Sequence, residues 1–535
     1  MNPPNLVFLI LINLLFVSPS IFAKNYKYDL VVFGASASGI IAAVEASRHD
    51  SHQMTIAVVA PEPYIGGMVA GGLGNTDIGD SKVIGGLALE FFHQVGQKYG
   101  NSNPQWRFEP HVASVVFNEM LKASGVDLYL ECYLSEGPNA IVKQGTSIQT
   151  ITTEGPTGSH TFTAAMFIDA SYEGTLMAAA GISYFVGREG SKDFNESYAG
   201  YRGPGGNDNN GMDFSVKVSP YYDDGNLIPR VQPAPKTNIG DGDDLVQAYN
   251  FRLCVTRNKT NKVPFPKPPD YDPSDFIIAS RYAYAIIQQL HKTPRFGNYA
   301  ALGELPNGKF DMNNNGPVST DLIGENKDYP NADRATRKAI WAKHYYWQAG
   351  LLYYLSNDPS IPIALRTEVS EYGLCQDEFV ETENWPWQLY VREARKMTSD
   401  FIFSEKDVIS EKTKPDTIGM GSYPIDSHNA QRFPTPDGNV HNEGDMYMSS
   451  KGTFQMPYRI LTPKKSEATN LLVTVCVSST HIGYGPLRLE PQYMILGQAA
   501  GLAVAEAHYY NVAVQDVNIT DIQNKLRTEN AILEL

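Results

Sequence analysis

Four cysteines in 535 residues, widely spaced and without a C-x-x-C, argue against a clustered metal site and a dithiol redox centre. No basic run or stripe interrupts a chain of net charge −15, so nucleic acid and anionic membrane are poor partners. There is one long apolar run, Leu6 to Val17. It is too short to span a bilayer comfortably, and Ser18, Pro19 and Ser20 follow it, the pattern of a secretory leader cleaved after Ala23. Its first residues lack Lys or Arg, and an uncleaved anchor is the alternative. No later segment is apolar enough to cross a membrane. Repeats, low-complexity tracts and a C-terminal retention signal are also absent.

What is present fits a globular, secreted protein. The hydrophobic share is 42% and the charged share 19%, which are those of a folded chain with a sizeable core. The 31 tyrosines suit a polar, aromatic-lined pocket or, equally, a large secreted surface. Sequons at Asn195, Asn258 and Asn518 agree with passage through a secretory or lumenal compartment. In such a compartment Cys132, Cys254, Cys375 and Cys476 allow three full pairings, and the sequence does not choose among them. Cys254 and Cys476 lie in apolar runs, FRLCVT and VTVCVS, and read as buried free thiols.

The chain is organised around YDLVVFGASASGIIAAVEA, Tyr28 to Ala46. Leu30 to Phe33 read as a buried parallel strand, Gly34 to Gly39 as a tight turn, and the Ala/Ile-rich residues after Gly39 as a helix. TIAVVA, Thr55 to Ala60, completes a βαβ unit. Such a turn lets backbone approach a pyrophosphate, and the helix N-terminus supplies unpaired N–H groups and a partial positive charge. Ser36 stands where the G-x-G-x-x-G pattern has its middle glycine, and the ribose-gripping acid expected near Ala60 is missing. Glu62 lies two residues on and is placed to reach back. Alone, the turn reads either as a dinucleotide site or as plain αβ packing.

Farther along, PEPYIGGMVAGGLGNTDIG carries six glycines just after the second strand, at the sheet edge where ligands bind. MFIDASYEG places Asp169 at a strand tip, either to accept bonds from cofactor hydroxyls or to cap the next helix. The Gly/Pro/Asn/Asp-rich segment 200–273 marks departure into a second subdomain. Helices are predicted over 276–291 and 335–356, with KFDMNNNGPVSTDLIGEN between them as an irregular loop. A strand, NLLVTVCVSS, and a helix opened by Pro491 return to cofactor-like patterning. Gly497 and Gly501 let that helix pack closely on a neighbour.

Together these pieces are similar to FAD-containing oxidoreductases of the glutathione reductase-like superfamily. The motifs YDLVVFGASASG, PYIGGMVAGGLGNTD, FIDASYEGTLMAAAG, NFRLCVTRN with PFPKPPDYDP, NNNGPVSTDLIGEN, LYVREARKM, GMGSYPIDSH and SSTHIGYGPLRLEPQYMILGQAAG resemble one FAD-dependent oxidoreductase family, largely of unassigned substrate. The resemblance runs from about Tyr28 to beyond Gly501. It implies an α/β fold: a discontinuous Rossmann-like FAD-binding domain with an inserted, mainly helical and irregular substrate domain. The divisions are a leader at 1–23, FAD-binding parts at 24–199 and 461–512, a substrate domain at 200–460 and a C-terminal helix at 513–535.

By the same resemblance, Gly34, Ser36 and Gly39 would hold the pyrophosphate and Glu62 would substitute at the ribose. Gly66, Gly67 and Met68 would lie along the flavin, Asp169 near the cofactor, and the helix containing Gly497 would direct its positive end at the flavin. A hydroxyl residue at position 36 is ordinary for the family; Ala60 departs from it. Chemistry at a flavin calls for a base and a cation over the ring. His481, Arg488 and His428 are the candidates. The alternatives are a hydrogen-bonded turn histidine for His481 and a salt bridge for Arg488. Arg392 and Arg395 read as a structural ion-pair network on one helix face, and Asp426 as a partner that would orient His428. The expected activity is hydride transfer between a small polar or sugar-like molecule and FAD. The rivals are an NAD(P)H-dependent flavin monooxygenase and an FAD-binding protein without turnover.

Overall fold

The computed structural model describes residues 23–49, 54–204 and 211–535, so the expected leader lies almost wholly outside it. Strand β1 (Lys24–Phe33) leads through the glycine turn into helix α1 (Ala37–Arg48) and then strand β2 (Ile56–Val59). β1 pairs in parallel with β2 on one side and, on the other, with β4 (Gly158–Asp169); β3 (Asp127–Tyr129) pairs in parallel with β2. From far along the chain, β5 (Leu471–Val473) adds itself in parallel to the end of β4. The register aligns Phe33, Asp169 and Val473, so three strand tips end level with one another. The order of strand addition switches sides at β1, with β2 on one flank and β4 on the other, and such a switch point opens a crevice at the carboxyl ends of the parallel strands.

The apolar run of β1 is there because both of its faces are covered. Leu30 and Val32 pack into one cluster with α1, while Val31 and Phe33 pack into a second with Phe167, Leu471 and Cys476. Against β4, strands 147–155, 141–144 and 133–134 form an antiparallel extension.

Helix α2 (Glu490–Tyr510) is buried on all sides from Glu490 through Ala505. A Cβ at Gly497 would collide with the Ser38 carbonyl, and one at Gly501 with the Ala42 carbonyl. The two glycines thus let α2 lie directly on the α1 backbone. Gly497→Val is expected to cost about 3 kcal/mol or more by overpacking. Gly297, where an added Cβ meets nothing within 4 Å, supplies the control: Gly297→Ala should melt in urea like the wild type.

The insertion contains the predicted helices, Ile277–Leu290 and Arg334–Asn357. It also contains a five-stranded antiparallel sheet that the sequence reading did not anticipate. Part of that sheet is Lys309–Asn314, the beginning of the segment read as an irregular loop. Arg392 and Arg395 share no helix: Arg395–Met397 is a short strand paired with Tyr184–Val186. Just past that partner strand, buried Arg188 binds Asp243 at 2.5 Å and Glu443 at 2.9 Å, joining three distant segments. Among the described residues, no helix is long and apolar enough to cross a membrane.

Candidate active site

The turn between β1 and α1 is built from side-chain capping and close backbone contact. Gly34 has φ +105°, and a Cβ there would lie 2.7 Å from the Ala170 carbonyl carbon and the Ser171 nitrogen. Ser36 is the N-cap of α1: its hydroxyl accepts the Gly39 N–H at 3.2 Å and donates to the Ala170 carbonyl at 2.7 Å. A Cβ at Gly39 would collide with the Gly34 carbonyl. Gly66, at φ +94°, donates its N–H to Ala35 at 2.8 Å, and Gly67 lies against Ser36 and the Tyr172 hydroxyl. That hydroxyl accepts the Met68 N–H at 2.8 Å and donates to Glu490 at 2.7 Å, linking the glycine loop to the start of α2.

The acids divide into two kinds. Asp169 accepts from the Ser171 N–H at 3.0 Å, the Ser171 hydroxyl at 2.7 Å and the Met177 N–H at 2.7 Å. Its carboxylate is therefore engaged in shaping the turn into Thr175–Ala179. Glu62 has a buried Oε2 with no hydrogen-bond partner. Burial and the nearby Glu173 push its carboxyl up to about 8, partly offset by the N–H groups of Glu62 and Ala35. Contact with Ala35 places this carboxyl back at the glycine turn. The backbone of Ala60 is itself committed, to Tyr129 and Cys132, each at 2.8 Å. Gly497 lies against Ser38 in the first turn of α1.

A second feature lies where the insertion meets the 66–79 loop. It is a cavity of about 100 Å³ lined by Arg252, Arg392, Arg488, Tyr390, Tyr423, His428, Asp77 and Asp426, among others. Each arginine has a carboxylate. Arg252 holds Asp311 through two bonds of 2.9 and 3.0 Å, Arg392 holds Asp321 at 2.9 Å, and Arg488 holds Asp426 at 2.7 Å. Both Arg392 and Arg488 keep a buried Nε without a partner. They lie 4.8 and 5.9 Å from the Tyr390 ring centroid, over its face.

His428 belongs to this cavity, and its orienting acid is Asp321. The Nδ1–Asp321 distance is 2.8 Å, whereas Asp426 stands 4.0 Å from Nε2 and is paired instead with Arg488. A carboxylate at that distance fixes the proton on Nδ1 and leaves the Nε2 lone pair free. Burial, together with the charge of Arg392, holds the imidazole below its ordinary pKa against the opposing pull of Asp321.

His481 does not line the cavity. Its Nδ1 meets Glu393 at 2.8 Å and its Nε2 meets the Ser427 hydroxyl at 3.1 Å, so both ring nitrogens are occupied. Although burial opposes ionisation of Glu393, His481 and Lys396 hold its carboxyl down at about 2. Two carboxylate–histidine groups stand elsewhere, Glu45–His49–Glu529 and Glu109–His111–Glu378, and the sequence reading had missed both.

A family model described as FAD dependent oxidoreductase matches residues 29–526. The chain belongs to that family. No curated protein matches. Among solved structures, a geranylgeranyl bacteriochlorophyll reductase-like protein of Thermoplasma acidophilum is 9% identical over 95% of this chain and 85% of its own, with a TM-score of 0.37. The anhydrotetracycline hydroxylase OxyS of Streptomyces rimosus is 14% identical over 31% of this chain, with a TM-score of 0.24. L-proline dehydrogenase of P. horikoshii is 12% identical over 32% of this chain, with a TM-score of 0.19. The chain spans 35% and 26% of the latter two proteins, and likeness this distant identifies no substrate.

The residues present fit the family's cofactor. FAD brings ribose hydroxyls, a pyrophosphate and a polar ring edge. The buried atoms lacking partners here include Glu62 Oε2 and Ser38 Oγ near the turn, and both amide atoms of Gln492 in the first turn of α2. The α1 N-terminus would face the pyrophosphate and Glu62 the ribose. Sequence reasoning missed Arg252, Asp321 and Tyr390. Only Arg252 left a signal, a charge inside the apolar run FRLCVT.

Proposed function

We propose that this FAD-dependent oxidoreductase oxidises an alcohol carbon of a small, neutral, polyhydroxylated substrate. One observation carries the reading: an oriented His428 whose free Nε2 belongs to a cavity lined by hydrogen-bonding guanidinium, tyrosine and carboxylate groups. Bound FAD supplies the acceptor for a hydride. His428 takes the proton of the substrate hydroxyl as that carbon loses its hydride, leaving a carbonyl. The guanidinium groups of Arg392 and Arg488, which line the cavity, orient the hydroxyls. Because every arginine has its own carboxylate, the lining attracts a neutral molecule rather than an anion. Burial pushes the carboxyl of Glu490, at the start of α2, up to about 8, which favours its neutral form and so cancels less of the positive end of the helix. The apolar run at Leu6 to Val17 and the three sequons favour a secreted or lumenal setting.

The test is anaerobic. Purified holoenzyme mixed with a panel of sugars and polyols should lose its oxidised-flavin absorbance with at least one of them. Bleaching by NADPH alone, with none by any polyol, would favour a monooxygenase. A flavin that resists every donor would favour a binding protein.

A further inference from the structure

Cys254 lies in the strand Leu253–Thr256 and Cys375 ends the strand Gly373–Cys375. The two strands are antiparallel neighbours, with Leu374 opposite Val255 and Gly373 opposite Thr256. One more step in that register sets Cys375 against Cys254, and the two Sγ atoms are 3.1 Å apart. Directly opposed residues on antiparallel strands have Cα atoms about 4.5–5.5 Å apart, within the span a disulfide bridges. Both side chains are buried with Leu305 and Phe379. The remaining cysteines are placed differently. Cys476 donates its thiol to the Tyr172 carbonyl at 3.3 Å, and Cys132 packs in the cluster beneath β1.

We propose that Cys254 and Cys375 form a disulfide, and that Cys132 and Cys476 stay reduced. The two thiols lose two electrons and two protons to a disulfide-class oxidant, which leaves as two thiols. Burial pushes the Cys254 thiol up, so exchange belongs to the folding chain, before the sheet closes. The bond would tie residues 121 positions apart, a loop long enough for a large loss of unfolded-state freedom. Arg252, which lines the cavity, sits two residues before Cys254, so the clamp also anchors one wall of the site.

The test uses the full chain refolded in a glutathione redox buffer, denatured, alkylated without reduction and digested. Mass spectrometry should find a linked peptide joining Cys254 to Cys375, with Cys132 and Cys476 alkylated. Four alkylated cysteines, or a bridge between any other pair, would overturn the proposal. Reductant should lower the Tm of the wild type by on the order of 5 °C and leave Cys375→Ser unchanged. A wild type refolded in the presence of reductant and still as stable as the chain refolded in the glutathione buffer would count against the clamp in the same way. If Cys375→Ser does not fold, peptide mapping of the wild type decides alone.

Discussion

Replacing His428 by alanine is expected to lower kcat by about 100- to 10,000-fold, the range over which a positioned general base contributes. KM should move much less, because Arg392, Arg488 and Tyr390 remain in place to bind hydroxyls. The pH profile separates this role from a structural one. His428 acts only when neutral, and burial and Arg392 hold its pKa below the ordinary histidine value. Wild-type kcat/KM should therefore be flat near neutrality and fall with decreasing pH, with an apparent pKa below about 6.5. In His428→Ala that acid limb should disappear. An unchanged limb in the variant would assign the titration to another group. Asp321→Asn should weaken the base less than removing it, since Asp321 orients the ring without contacting substrate. Its bond to Arg392 makes some rise in KM the accompanying result.

Arg188→Met is expected to destabilise the protein by about 3–5 kcal/mol, the cost of leaving the buried Glu443 carboxylate without its cation. The guanidinium is 2% exposed, and it holds Glu443, which is fully buried, through bonds of 2.9 and 3.1 Å. Methionine keeps much of the volume, so the loss reports the missing charge more than a cavity. The measurement is the urea midpoint at constant m. A double variant, Arg188→Met with Glu443→Gln, should recover part of the loss, because the orphaned charge is then gone. No recovery would mean that packing, not charge, carries the effect. The contact joins the exit from the first FAD-binding segment to residues 243 and 443, so proteolysis within the insertion should also accelerate.

Much of the scaffold was legible in the chain. β1 is apolar on both faces because both faces are buried, and such a run reads the same with or without coordinates. Pro491 marks the first turn of α2 because proline needs no N–H there, and Gly497 and Gly501 mark its closest contact because no side chain fits. Ser36 kept the turn because a serine can cap the helix that a glycine would merely permit. Local chemistry fixes such features, and local chemistry is what sequence records. The insertion was less legible. Its antiparallel strands are short, and Lys309–Asn314 carries no alternation clear enough to distinguish it from a loop.

The sequence by itself determined the glycine turn, the helix that follows it and the family to which the chain belongs. Tertiary structure alone decided which charged groups meet. Asp321 is 107 residues from His428, and nothing between them hinted that it would displace Asp426 as the orienting acid. Asp169, at a strand tip suited either to a cofactor or to a helix cap, was drawn into the cap by Ser171 and Met177. Arg392 became part of a cavity because its segment is not helical. Pairing among buried charges depends on distance and on which partner lowers the desolvation cost most, and both are set only when remote segments close around the site.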